Sequence, residues 1–114
     1  DALDGPGDGS EDDDSLRVLA GTGYGRFCVE TGRLGEAEPW LRRAEARARA
    51  RGWALATSRT QLERATAAWS AGDRAAAQEL VHAAYPSIAE HARAHDVSRC
   101  WLYFGLISIS VDAP

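Results

Sequence analysis

From Leu34 onward the apolar positions recur on a helical period. Leu34, Ala37, Leu41, Ala44 and Ala48 are spaced so that they line one face of an α-helix. A second run holds Leu55, Leu62, Ala65 and Trp69, and a third holds Ala77, Val81, Ala84 and Ile88 before reaching His95. Gly32, Gly52 and Gly72 separate the runs, and nothing before residue 95 alternates as a strand does. The pattern predicts an all-α chain with helices near 15–31, 34–51, 54–71 and 74–95. Pro39 lies in the first turns of its helix, where a missing amide is cheap. Pro86 lies mid-helix and predicts a kink or a break.

The chain also matches itself at a shift of 40 residues. Gly32 falls on Gly72, Ala37 on Ala77, Leu41 on Val81 and Ala44 on Ala84. The same shift aligns Gly25, Ala65 and Gly105, then Cys28, Ala68 and Ser108, then Val29, Trp69 and Ile109. Small residues meet small ones and apolar residues meet apolar ones, so the chain reads as about two and a half copies of a helix–turn–helix unit.

These positions resemble the tetratricopeptide repeat. Gly25, Gly32, Ala37, Leu41 and Ala44 match its pattern in the first copy, and Ala65, Gly72, Ala77, Val81 and Ala84 match in the second. Trp101, Phe104 and Gly105 fill the opening positions of a third. The resemblance covers residues 15–111 and implies an α-solenoid. Gln61 and Arg64 depart from it, standing where the family has large apolar groups, so the buried face of that helix is expected to turn toward Leu62 and Trp69. The 40-residue period and the Arg/Ala-rich run LERATAAWSAGDRAAA are similar to the solenoids of large ATP-binding LuxR-type (maltose-activator-like) bacterial regulators. That likeness implies a signalling or transcription role, although no nucleotide-binding or DNA-binding module stands in this sequence.

Composition changes the picture at the two ends. Seven of the first fourteen residues are acidic and the rest are mostly small, so residues 1–13 are expected to form a disordered acidic tail, with the repeat domain at 14–114. Asp14 or Ser15 is then the expected cap of the first helix. Without that tail the charge moves from −4 to a weakly positive balance carried entirely by arginine, too little to imply nucleic acid. At the other end CWLYFGLISISV, residues 100–111, is apolar all round if helical, and a strand stays open there. Cys28 and Cys100 read as buried thiols. With no signal-peptide pattern and no apolar run long enough to span a bilayer, the expected location is cytoplasmic. The missing initiator Met reads as a processed chain or a fragment.

Candidate chemistry is sparse. GTGYGR at residues 21–26 lacks both the preceding strand and the following Lys of a phosphate loop, and Gly25 is better read as a packing position. His91 and His95 are one turn apart without a third ligand, so no metal site and no cofactor are expected. Arg42, Arg43, Arg47, Arg49 and Arg51 crowd one helix, but Glu38 and Glu45 are placed to pair with two of them. No nucleophile–base set can be assembled, and the chain is expected to be no enzyme.

What remains is a partner-binding surface. By resemblance it is the concave side, where the matching positions include Arg26, Arg59, Leu62, Thr66, Trp69, Arg99, Leu102 and Leu106. Its arginines suit peptide carboxylates. Trp101, Phe104, Leu106, Ile107 and Ile109 are expected to bury themselves against a second copy in a homodimer, or against further residues of a longer chain. The expected function is a non-catalytic protein–protein interaction domain with a protein or peptide partner. The alternative is a ligand-sensing or enzyme-accessory domain holding a small molecule in that groove.

Overall fold

The computed structural model describes residues 10–91 and Cys100. Four helices follow one another: α1 (Glu11–Glu30), α2 (Leu34–Ala50), α3 (Ala54–Ser70) and α4 (Arg74–His91). No strand occurs among the described residues. The fold class is therefore all-α.

Three residues join each pair of helices, and one backbone motif closes all three ends. Gly32, Gly52 and Gly72 have φ of 79°, 73° and 84°. The amides of Arg33, Trp53 and Asp73 reach back to the carbonyls of Cys28, Ala48 and Ala68 at 2.7, 2.9 and 2.9 Å. The glycine amides bond the carbonyls of Val29, Arg49 and Trp69 at 3.1, 3.0 and 3.0 Å. This is the Schellman arrangement, whose left-handed residue only glycine adopts without strain. Turns therefore recur every 20 residues, half the period of the side-chain pattern. Successive helices reverse direction at each turn, so α2 and α4 point the same way.

Packing runs through neighbours: α1 on α2, α2 on α3, α3 on α4, with a smaller contact of α1 on α3. Ala37, Leu41, Ala44 and Ala48 are the buried face of α2, and Ala77, Val81, Ala84 and Ile88 that of α4, as the periodicity predicts. Helix α3 lies between neighbours and is buried more widely, including the polar Ser58, Thr60, Gln61 and Glu63. One core cluster gathers Leu62, Ala65, Ala77, Val81, Ala84, Ile88 and Cys100. Cys28, Val29, Ala37, Leu41 and Ala67 form another. Neither cysteine is in a disulfide and both are buried.

Two expectations need correcting. The first helix begins at Glu11, and its cap is Ser10, whose hydroxyl accepts from the Asp13 amide at 3.0 Å. Asp14 and Ser15 lie inside the helix. Asp14 instead ties the start of α1 to the end of α2, meeting Arg51 at 2.7 Å and Arg47 at 3.5 Å. Pro86 does not break α4, which continues to His91. The buried face of α3 turns toward Leu62 and Trp69 as expected, and it also takes in Gln61, while Arg64 is drawn in by carboxylates of α2. The segment 1–9 and residues 92–95, the expected end of the fourth helix, lie outside the described residues.

Candidate functional site

Helices α2 and α4 leave a groove between them whose floor is α3. At the end formed by their first turns it opens to about 240 Å³. Leu34, Ala67, Ala68, Ala71, Ala76 and Leu80 make its apolar walls, and Glu38, Arg42, Arg64 and Asp73 supply the polar groups. At the opposite end a second opening of about 280 Å³ is lined by small and polar residues, among them Thr57, Ser58, Gln61 and Ser87.

A charged bridge lies across the floor near its middle. Arg64 donates through one terminal nitrogen to Glu45 Oε1 at 2.8 Å and through the other to Glu38 Oε1 at 3.4 Å. Glu38 and Glu45 are two turns apart on one face of α2, so one guanidinium spans both. Arg42 also donates to Glu38, and Arg49 to Glu45 at 2.6 Å. The Nε of Arg64 is buried without a partner. A guanidinium with two of its three nitrogens committed is strongly oriented, because each bond fixes the planar fork. The bridge pins α3 to α2 and sets the inner limit of the apolar opening.

The α2 arginines are thus spoken for. Arg42 and Arg49 pair with glutamates, Arg47 and Arg51 with Asp14, and Arg43 lies 4.6 Å over the Trp40 ring. GTGYGR lies within α1, with no loop to wrap an anion. A Cβ at Gly25 would overlap the Leu41 side chain, so the glycine makes room for an α2 side chain rather than for a close backbone crossing. Gly21 packs on the same helix, a Cβ there standing 3.3 Å from Ala44 Cβ and 3.4 Å from the Trp40 carbonyl oxygen.

Of the residues expected on the concave side, Arg26 is exposed and its Nε donates to Glu30 at 3.1 Å. Arg59 is exposed. Thr66 is half-buried and donates to the Leu62 carbonyl at 3.1 Å. Trp69 is half-buried against the α3–α4 core, and Leu62 is wholly inside it. Leu62 therefore serves packing, leaving Arg26, Arg59, Thr66 and part of Trp69 on the surface. Thr22 and Thr60, whose hydroxyls lie 3.4 Å apart, mark the line where α1 meets α3. Arg99, Leu102 and Leu106, with Trp101, Phe104, Ile107 and Ile109, lie outside the described residues, as does the side chain of His91. Among the described residues no cluster could hold a metal ion, and no helix is long and apolar enough to cross a membrane.

The Glu38–Arg64–Glu45 bridge and the Leu34–Leu80 walls were not anticipated from sequence. A signal existed: an arginine among the inward positions of a helix needs carboxylate partners, and Glu38 and Glu45 share one face of the preceding helix. One titration is displaced at this end of the molecule. Hydrogen bonding to the Cys28 side chain, then the charge of that side chain, pushes the Tyr24 phenol above its ordinary 10.0.

No family model matches the chain, and neither a curated protein nor a solved structure matches it.

Proposed function

We propose that this chain is a non-catalytic helical-repeat module of the tetratricopeptide type that binds a protein segment, within a bacterial signalling or transcription regulator. The observation that supports this reading most is the triplicate Schellman turn at 20-residue spacing, joined to helices that pack on their neighbours in order. An array built that way presents continuous grooves and buries no reaction chamber. The α2–α4 groove suits a peptide better than a metabolite. Its apolar end, about 240 Å³, is below the usual range for small-molecule pockets but holds one or two apolar side chains. Asp73 at its edge offers a carboxylate to a backbone amide or a cation of the bound segment.

The test is a selection of random dodecapeptides on the intact protein, repeated on Ala76→Trp, which fills the apolar end. A shared motif with an aromatic or branched aliphatic residue, lost at least tenfold in affinity on Ala76→Trp, is the expected result. Peptides that bind both proteins equally, or no enriched motif, would reject the groove as the binding surface.

A further inference from the structure

Helix α1 carries two apolar faces where one would suffice. The inner face packs Val18, Gly21, Gly25, Cys28 and Val29 into the fold. On the opposite side of the helix stand Leu16, Ala20, Gly23 and Phe27, all exposed, at steps of four, three and four residues. Leu19 and Tyr24 flank that stripe. Leu16 and Leu19 each keep 68% of their surface open, Phe27 49% and Tyr24 37%. The patch continues onto α2, because the Tyr24 ring meets Trp40 edge-on at 5.1 Å.

Two features say what covers this face. The first is its symmetry of size. Read in either direction the stripe runs large, small, small, large, centred between Ala20 and Gly23. The second is Gly23 itself. Its φ is not positive, and a Cβ there would meet nothing within 4 Å. Among the described residues neither a turn nor the core uses this glycine, which weakens the helix where it stands. A second helix crossing at that point would use it, since small residues at a crossing let two backbones approach.

We propose that the outward face of α1 is the seat of a second copy of this chain, packed antiparallel across a two-fold axis between Ala20 and Gly23. In that pairing Leu16 lies opposite the partner's Phe27, and Ala20 opposite the partner's Gly23. A two-fold interface must be complementary to itself, and a size palindrome on an antiparallel helix pair meets that condition. Roughly 500 Å² of apolar surface per protomer is available. The pair therefore buries about 1,000 Å², the lower edge of a specific dimer, which predicts micromolar rather than nanomolar association. This surface is separate from the α2–α4 groove, and a dimer formed through α1 leaves that groove open.

The full 114-residue chain is examined by sedimentation equilibrium. A reversible dimer is expected for the native protein and for Phe104→Glu, whereas Gly23→Glu is expected to be a monomer. Gly23→Glu exchanges glycine for a better helix former at an open site, so helicity and melting temperature hold or rise when both proteins are compared at concentrations where they are monomers, separating loss of association from loss of fold. For orientation, Leu16→Cys combined with Phe27→Cys is expected to cross-link into a covalent dimer under diamide, several-fold more than Leu16→Cys alone or the native protein. The proposal is overturned by a monomer at all concentrations up to roughly 100 µM, which would leave this face to another segment. It is equally overturned by a dimer that survives Gly23→Glu, by one lost in Phe104→Glu, or by equal cross-linking of Leu16→Cys alone.

Discussion

At the scale of single residues, the glycines of α1 show how one residue type takes opposite roles two positions apart, on opposite sides of one helix. Gly25 holds space that the fully buried Leu41 occupies, while Gly23 faces open solvent. Gly25→Ala gains about 1 kcal/mol of helix propensity but overpacks Leu41 at a cost of about 1–3 kcal/mol, so net destabilisation is expected. Gly23→Ala, with the same gain and no clash, is expected to stabilise the monomer. Urea titrations of the two variants in parallel check both signs, and a stabilised Gly25→Ala would mean that Leu41 has room to move. Tyr24 adds a pH dependence. Its phenol keeps its proton above the ordinary 10.0, so the preference for the neutral form stabilises the fold fully below that pH and is lost as pH rises through the displaced value. Ultraviolet titration of native protein against Tyr24→Phe is expected to show the missing phenol ionising later than a free tyrosine.

At the scale of elements, helix ends decide where the chain turns. The three left-handed glycines are equivalent by conformation, and no side chain crowds any of them. Gly52→Ala is therefore expected to cost about 1 kcal/mol through backbone strain alone. Denaturation of Gly32→Ala and Gly72→Ala alongside it would reveal any turn whose importance lies elsewhere. The start of α1 depends on Ser10, followed by four acidic residues in the positive first turn. Removing residues 1–9 is expected to leave the melting temperature nearly unchanged. Removing Ser10 as well is expected to cost about 1 kcal/mol, the usual worth of such a cap. Equal melting curves for the two truncations would place the cap elsewhere. The cap was misread from sequence because Ser10, Asp12, Asp13, Asp14 and Ser15 are all competent caps in one short stretch, and the register of the first turn chooses among them.

At the scale of the whole molecule, order along the chain becomes order in space. Each helix packs mainly on the next, so no long-range closure has to be made before local contacts contribute. Helix α3 is the exception in degree, touching the other three and carrying the buried polar residues. Cys100 connects the later part of the chain to this centre, wholly buried with Leu62, Val81 and Ile88. Cys100→Asp places a carboxylate in that cluster and is expected to destabilise by at least about 3 kcal/mol, whereas Cys100→Ala is expected to cost about 1–2 kcal/mol. Chemical denaturation checks the contrast, and a tolerated aspartate would show that the site opens to water.

Over the described residues, the sequence by itself determined four helices and the turns that join them. Those features rest on local causes: apolar residues at a 3.6-residue period, and glycine where φ must be positive. It also determined that Ala37, Leu41, Ala44 and Ala48 and their counterparts 40 residues on face inward, because neighbouring turns fix that face whatever lies opposite. Tertiary structure alone decided the role of α3. A helix with partners on several sides has no single stripe, so Gln61 and Arg64 read as departures until α2 brings Glu38 and Glu45 to Arg64. It decided the groove as well, since walls such as Leu34 and Leu80 lie 46 residues apart and meet only when two parallel helices share one floor. Periodicity tells which side of a helix avoids water. What it packs against depends on distances between helices, and a linear pattern does not carry them.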